Sequence, residues 1–294
     1  MMPRGAIVVT NHRGTAPGVI IEHDKKTIIH LPGPPAELEH MFENSILPYL
    51  TGRFGGQGII VSKVLRTFGI GESILEERIR PFILAQTNPT IALLARSGEI
   101  HVRLTAKADS ADEARVMIAG LETDLREHID EYIFGTDDQS LEQVVGEELR
   151  QRRLTLALAE SCTGGATTAK LTDVPGSSAY LIGSVVCYDN RIKTDWVGVS
   201  SETLLQHGAV SSETAIAMAK GIRDRFAADI GIGITGIAGP DGGNEAKPVG
   251  LVYLAVAGPH GVIVEEEHFA GQRSAIRNRA VNSSLDLLRR YLQK

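Results

Sequence analysis

From Ser140 to the C-terminus, short apolar strands alternate with amphipathic helices, and this alternation constrains the fold more than any other feature. Residues 141–152 form a helical pattern with Leu141, Val144, Val145 and Leu149 on one face, and residues 154–158 follow as a buried strand. Further strands are predicted at 179–188, 229–235, 249–256 and 262–268. A helix over 212–226 starts at a Ser211 or Ser212 cap, and a closing helix over 274–292 turns Ile276, Ala280, Leu287 and Leu288 inward. A sheet covered by helices, a layered α/β domain, is the expected outcome.

The chain before residue 140 is organised differently. Residues 59–68, 90–95, 99–105 and 132–134 read as strands, with helices over 73–84 and 110–129. The two middle strands join through Ser97-Gly98. The second helix has Asp109 or Ser110 as its cap and Glu113 placed for a capping box. The order β-α-β-β-α-β is that of a ferredoxin-like split βαβ unit. It holds no catalytic cluster, so a connector or dimerisation module is expected. Glycine-rich residues 52–58 read as a linker. Ahead of them, strands at 6–10 and 27–31 flank a Gly/Pro turn, Gly14-Thr15-Ala16-Pro17-Gly18. Leu31-Pro32-Gly33-Pro34-Pro35 is a rigid turn leading into a helix with Leu38, Met41 and Phe42. So few elements bury too little to stand alone, so this stretch is expected to be the tail of a larger α/β domain. Its exposed sheet edge and apolar surface would leave it mobile or covered by a partner chain.

Composition excludes several classes. The chain is 43% hydrophobic with a mean hydropathy of −0.02, which suits a globular core rather than disorder. No apolar run reaches the roughly 18 residues of a membrane-spanning helix, and the N-terminus lacks a signal-peptide pattern. Cys162 and Cys187 make neither a disulfide framework nor a zinc spacing, which favours a reducing cytosol. The net charge of −6 gives no sign of nucleic-acid binding. It is uneven: residues 140–294 are nearly neutral, with 16 basic and 17 acidic side chains, and the rest carry −5. A near-neutral half with several arginines in its last helix is compatible with a small anionic ligand.

Three stretches could carry chemistry. Ala159-Glu160-Ser161-Cys162-Thr163-Gly164-Gly165 lies between a strand and a helix. Its paired glycines could cradle an anion, or present a nucleophile beside backbone donors, or simply make a tight turn. Ser161 would need a base, and Lys193 in Tyr188-Asp189-Asn190-Arg191-Ile192-Lys193 offers one if burial or a neighbouring cation such as Arg191 lowers its proton affinity. Cys162 is the intrinsically better nucleophile, although a buried inert thiol is the plainer reading. A second glycine-rich loop, residues 233–243, also follows an apolar strand, where ligands of layered α/β folds collect; it lacks the P-loop lysine. Arg273 and Arg277 lie one turn apart at the start of the last helix, suited to a phosphate or carboxylate or to a solvated face. The histidines, His207 and His268 among them, show no metal-binding spacing.

The motifs at 159–165, Pro175-Gly176-Ser177-Ser178-Ala179, Tyr188-Asp189-Asn190 with Lys193, His207-Gly208-Ala209-Val210-Ser211, 235–243 and Lys247-Pro248-Val249-Gly250 resemble, in order, the C-terminal domain of the CinA family. Stand-alone members are nicotinamide-nucleotide amidases, which hydrolyse nicotinamide mononucleotide to nicotinate mononucleotide and ammonia in pyridine nucleotide salvage. The resemblance implies that activity here, with Ser161 as nucleophile and Lys193 and Tyr188 activating it. Thr163, Gly164, Gly165, Thr235 and Gly236 would line the substrate site, and Arg273 or Arg277 would hold the phosphate. It implies no cofactor or metal for the amidase, a cytoplasmic homo-oligomer (a homodimer in the first instance), a small-molecule substrate, and neither membrane nor direct nucleic-acid partners. Two alternatives are a non-catalytic nucleotide-binding protein of competence or damage response and a residual ADP-ribose pyrophosphatase.

The pyrophosphatase alternative comes from the N-terminal stretch. Gly5-Ala6 through Asn11, residues 14–18, and 31–35 with Glu37 resemble the end of a molybdopterin-binding-like (MoaB/MogA-like) domain. In full-length members that domain is linked to a divalent-metal pyrophosphatase activity. The half carrying the family's Thr-Gly-Gly loop and acidic residues is not present before Met1, so the activity is not expected. The predicted organisation is a partial molybdopterin-binding-like α/β segment at 1–57, a ferredoxin-like α+β connector at 58–137 and a three-layer α/β amidase domain at 138–294.

Overall fold

A computed structural model describes every residue except Met1, Lys25, Gly56, Gln57 and Ser97. The chain forms two compact units, one of residues 1–61 with 107–116 and one of 62–106 with 117–294.

In the first unit, β1 (Ile7–Val9), β2 (Gly18–His23) and β3 (Lys26–His30) form an antiparallel sheet in that order. Helix α1 (Pro35–Met41) passes through a π-helical turn, Phe42–Ile46, into α2 (Leu47–Phe54). Pro35 can open α1 because a first-turn amide has no intrahelical partner to lose. Val9, Ile20, Met41 and Ile46 make the small core, while Ile7, Val8 and Ile28 are exposed. The sequence did not signal β2, whose run Val19-Ile20-Ile21 masks the alternation of a half-buried strand. The linker expected at 52–58 is corrected at its start: residues 52–54 belong to α2, and Gly56 and Gln57 lie outside the described residues.

The next elements are β4 (Ile59–Thr67), α3 (Glu72–Ala85), β5 (Thr90–Arg96), β6 (Glu99–Ala108), α4 (Ala111–Ile129) and β7 (Ile133–Thr136). Their sheet order, β5-β6-β4-β7, is that of a split βαβ unit. Gly98 takes a φ of +92°, which glycine permits without a Cβ clash; the other residue of the expected turn, Ser97, lies outside the described residues. At the start of α4, Ser110 Oγ accepts the Glu113 amide at 3.2 Å, and the Glu113 carboxylate accepts the Asp109 amide at 3.2 Å. The box thus closes one residue earlier than the standard pattern.

The remaining elements are α5 (Leu141–Arg152), β8 (Leu156–Glu160), α6 (Ala166–Thr172), β9 (Leu181–Val186), α7 (Asn190–Val197), α8 (Ser201–His207), α9 (Ser212–Phe226), β10 (Ile230–Gly236), β11 (Leu251–Gly258), β12 (Gly261–His268) and α10 (Arg273–Leu292). The five strands order as β12-β11-β10-β8-β9. Strand β8 is parallel to both neighbours, and β11 and β12 are antiparallel.

Period-two alternation assigns the two faces. Leu156, Leu158, Ile230, Ile232, Ile234 and Leu254 pack against α5, α6 and α10. Ala157, Ala159 and Ala255, with Gly231 and Gly233, face α9. A Cβ on Gly231 or Gly233 would lie 2.1 Å from the Ala219 carbonyl or 2.2 Å from that of Ala215, so α9 approaches the sheet only because these positions are bare. Large side chains on one face and small ones on the other give the three-layer α/β arrangement. The parallel pair β8–β10 brings residues 160–161 and 234–236 to the same edge, where the Ser161 amide bonds the Ile234 carbonyl at 2.9 Å.

Candidate active site

Beyond β8 the turn at 161–165 enters α6, with Gly164 at φ +64° and Gly165 at φ +89°, conformations that exclude most side chains. Glu160, fully buried, reaches past the turn to the helix start. Its Oε2 accepts the amides of Gly165 (3.0 Å) and Thr167 (3.1 Å), and its Oε1 accepts the Thr168 amide (2.8 Å) and hydroxyl (2.6 Å). These are the donors that a helix start leaves unpaired. The anion cradle read from the glycines therefore exists, but the protein's own carboxylate fills it. The Gly164 amide bonds the Ser161 carbonyl at 3.1 Å. Neither glycine amide is free for substrate, which corrects the expectation for Gly164 and Gly165.

Helix α7 delivers the second group. The Asp189 carboxylate accepts the Arg191 amide at 2.9 Å as its N-cap, and Lys193 follows on the inner face, 1% exposed. Lys193 Nζ lies 2.7 Å from the Cys187 carbonyl, 3.2 Å from the Tyr188 carbonyl and 3.2 Å from Ser161 Oγ. Burial lowers the lysine's pKa from its ordinary 10.5. Arg191 is not the cause: it points outward and pairs with Asp189 at 3.1 Å. A neutral lysine has two N–H bonds and one lone pair; with two carbonyls taking the N–H bonds, the lone pair is left for the Ser161 hydroxyl.

Cys162 is 5% exposed, and burial pushes its thiol up to about 12. Burial likewise pushes Cys187 up to about 11. Neither supplies thiolate near neutral pH, so Ser161 is the nucleophile candidate that has a base.

A cavity of about 190 Å³ opens over this pair. Of the expected residues, Ser161, Lys193, Tyr188, Thr235, Gly236 and Arg273 line it; Asn190, Ala209 and Val210, which lie in the motifs that carry the resemblance but had been given no role, join them. Thr163, Gly164, Gly165 and Arg277 are not among its lining residues. Thr163 is fully buried, and its hydroxyl has no hydrogen-bond partner among the described residues. Arg277 is occupied beneath the turn, donating Nε to the Cys162 carbonyl (3.1 Å) and Nη2 to the Thr163 carbonyl (2.7 Å), so it braces the turn, and of the two arginines only Arg273 lines the cavity. The exposed Arg273 donates to the Gly239 carbonyl (2.6 Å) and to the Tyr188 hydroxyl (3.2 Å), which joins the two sides of the cavity mouth.

Residues 138–292 match the family described as "CinA C-terminal domain", and residues 62–135 match the "Damage-inducible protein CinA KH domain". A putative competence-damage inducible protein of Moorella thermoacetica is 50% identical over 293 residues, spanning 100% of this chain and 70% of that protein. The chain belongs to the CinA family. A CinA-like protein of Kosmotoga olearia is 47% identical over 291 residues, covering 99% of this chain and 70% of the relative. Among solved structures, the competence/damage inducible protein CihA of Agrobacterium tumefaciens is 40% identical, with a TM-score of 0.51. The match covers 52% of this chain and 94% of that one. A CinA superfamily protein from Klebsiella pneumoniae is 32% identical, covering 53% of this chain and 99% of its own, with a TM-score of 0.50. Ser161, Lys193 and every other residue of the cavity fall within the part matched to the CinA C-terminal domain.

Proposed function

We propose that this CinA-family chain is a nicotinamide-nucleotide amidase, converting nicotinamide mononucleotide and water to nicotinate mononucleotide and ammonia. The observation that carries the reading is the contact between Ser161 Oγ and the buried Lys193 Nζ at 3.2 Å, inside a cavity. The pyridinium ring withdraws electrons from the carboxamide and makes its carbon electrophilic. Ser161 Oγ attacks that carbon while Lys193 takes the hydroxyl proton. The tetrahedral intermediate collapses with cleavage of the C–N bond, and Lys193 returns the proton to the leaving nitrogen, which departs as ammonia. Water then attacks the Ser161 ester, again giving its proton to Lys193; the acyl C–Oγ bond breaks as Lys193 returns that proton to Ser161 Oγ, and the carboxylate product leaves.

The oxyanion needs donors. The amide of Cys162, the residue after the nucleophile, bonds no backbone carbonyl among the described residues, and it is the donor this reading assigns to the oxyanion. The cavity suits a single ring with its carboxamide, which leaves the ribose phosphate at the mouth, beside the Arg273 guanidinium. Ammonia release from nicotinamide mononucleotide, compared between the wild type and Ser161→Ala, tests the reading. Release by the wild type and none by the variant supports it; equal release by both refutes the assignment of Ser161.

A further inference from the structure

A second cavity, of about 800 Å³, lies within the second unit and shares no residue with the cavity over Ser161. Its volume is that of a site for a small organic molecule. Period-two alternation on β12 turns Glu265 and Glu267, and Phe269 just beyond them, toward α10. On α10, Arg279, Ser283, Asp286 and Arg290 follow at helical spacing as the facing stripe. Phe68 and Tyr132, beside β4 and β7, add aromatic wall. Most of the charge here is already matched. Arg290 donates to the Glu265 carboxylate (2.6 and 2.8 Å) and to Asp286 (2.8 Å), and Asp286 also accepts from Arg289 (2.9 Å). The exposed Arg279 donates to the Ala270 carbonyl at 2.6 Å. Two lining groups are left over. The half-buried Glu267 carboxylate has neither a hydrogen bond nor an ion pair among the described residues. Ser283 is 5% exposed, and its hydroxyl has no partner among the described residues. That oxygen is not one of the sealed, unpartnered atoms of the interior, so it opens on the cavity that Ser283 lines.

We propose that this cavity binds an organic amine, whose ammonium takes the Glu267 carboxylate and the Ser283 hydroxyl as acceptors and whose apolar body lies against Phe68, Tyr132 and Phe269. An ammonium carries three N–H donors and no acceptor, and the two unpartnered groups can both accept. Five of the lining side chains are acidic and two are arginines, so the cavity attracts a cation. Burial raises the Glu267 carboxyl, and the charge of Glu265 adds to the effect; a cation brought beside Glu267 relieves that cost. A metal ion takes several oxygen ligands at once, whereas one unpaired carboxylate and one hydroxyl match an ammonium. The inference does not depend on the reading of Ser161.

The test titrates the full chain, by calorimetry, with three indoles that share a ring and a two-carbon arm: tryptamine, tryptophol and indole-3-propionate. They end in an ammonium, a hydroxyl and a carboxylate. Tryptamine is expected to bind once per chain, about tenfold or more tighter than tryptophol, with indole-3-propionate the weakest. Glu267→Gln keeps the shape and removes the charge, and should bring tryptamine to the level of tryptophol. Ser283→Ala should weaken tryptamine by about threefold to tenfold, and it keeps the test if Glu267→Gln does not fold. Saturating nicotinamide mononucleotide, added to Ser161→Ala, should leave tryptamine binding unchanged, because the two cavities share no residue. No tryptamine binding at millimolar concentration, no preference for it over tryptophol, or wild-type affinity in both Glu267→Gln and Ser283→Ala overturns the site. Displacement of tryptamine by the nucleotide overturns it as well, since it would put the amine in the cavity over Ser161.

Discussion

Lys193 Nζ lies 3.2 Å from Ser161 Oγ, although 32 residues separate the two in sequence. Two backbone carbonyls take the other donor directions of the same amine. This arrangement orients the base without a third side chain. Lys193→Met is expected to lower kcat by roughly 10²–10⁴-fold. Lys193→Arg should not restore it, because a guanidinium does not give up its proton near neutral pH. Steady-state ammonia release measures both.

In the proposed mechanism the same lysine sets the pH dependence. It must be neutral to accept the Ser161 proton, so kcat/KM should rise with pH through a limb below 10.5, in the direction in which burial moves the group. The limb should be absent from any residual activity of Lys193→Arg. Stability follows the same sign. Between the depressed value and 10.5 the unfolded chain binds more protons than the folded one, so denaturant midpoints should rise with pH across that window.

Cys162→Ala is expected to retain ammonia release within about threefold, since a thiol held near 12 supplies almost no thiolate at neutral pH. Iodoacetamide at pH 8 should leave the folded chain's Cys162 unmodified and label it after denaturation. Rapid labelling of the folded protein, with parallel loss of activity, would contradict the buried-thiol assignment.

Glu160→Ala would leave three amides and one hydroxyl without their buried acceptor, a loss of about 3 kcal/mol in folding stability. Glu160→Gln keeps the shape but turns an acceptor into a donor facing other donors, and should lose a similar amount. Urea unfolding of both variants measures this; unchanged midpoints would show that the carboxylate does not hold the helix start.

Much of the α/β architecture was legible because its signals are local. The strings Leu156-Ala157-Leu158-Ala159 and Ile230-Gly231-Ile232-Gly233-Ile234 show both the strand and which face receives α9. Helix α7 was missed as an element, although Asp189 before Asn190 is a cap signal; eight residues with a charged start carry little periodicity. The pairing of Ser161 with Lys193 followed from motif resemblance and local chemistry. The clamp by Glu160 did not, because a glutamate at a strand end gives no sign that it will turn back onto the next helix. Arg273 and Arg277 looked equivalent in sequence, yet one lines the cavity mouth and the other braces the turn. Spacing along one helix face cannot separate those roles when the partners come from residues 162–163 and 239.

That difference is testable. Arg273→Ala should raise KM for nicotinamide mononucleotide about tenfold or more with little change in kcat, and should remove the preference for the nucleotide over nicotinamide riboside. Arg277→Ala should instead lower kcat, because the turn that carries Ser161 loses its brace. Side-by-side kinetics of the two variants separates them, and a KM effect confined to Arg277→Ala would reverse the assignment.

The most direct measurement mixes the chain with nicotinamide mononucleotide, quenches it within one turnover and determines the mass of the peptide that contains Ser161. The account predicts a transient increase equal to the nicotinate-mononucleotide acyl group on Ser161, formed with one equivalent of ammonia and absent from Ser161→Ala. Ammonia released without any acyl adduct on Ser161, and undiminished in Ser161→Ala, would contradict it.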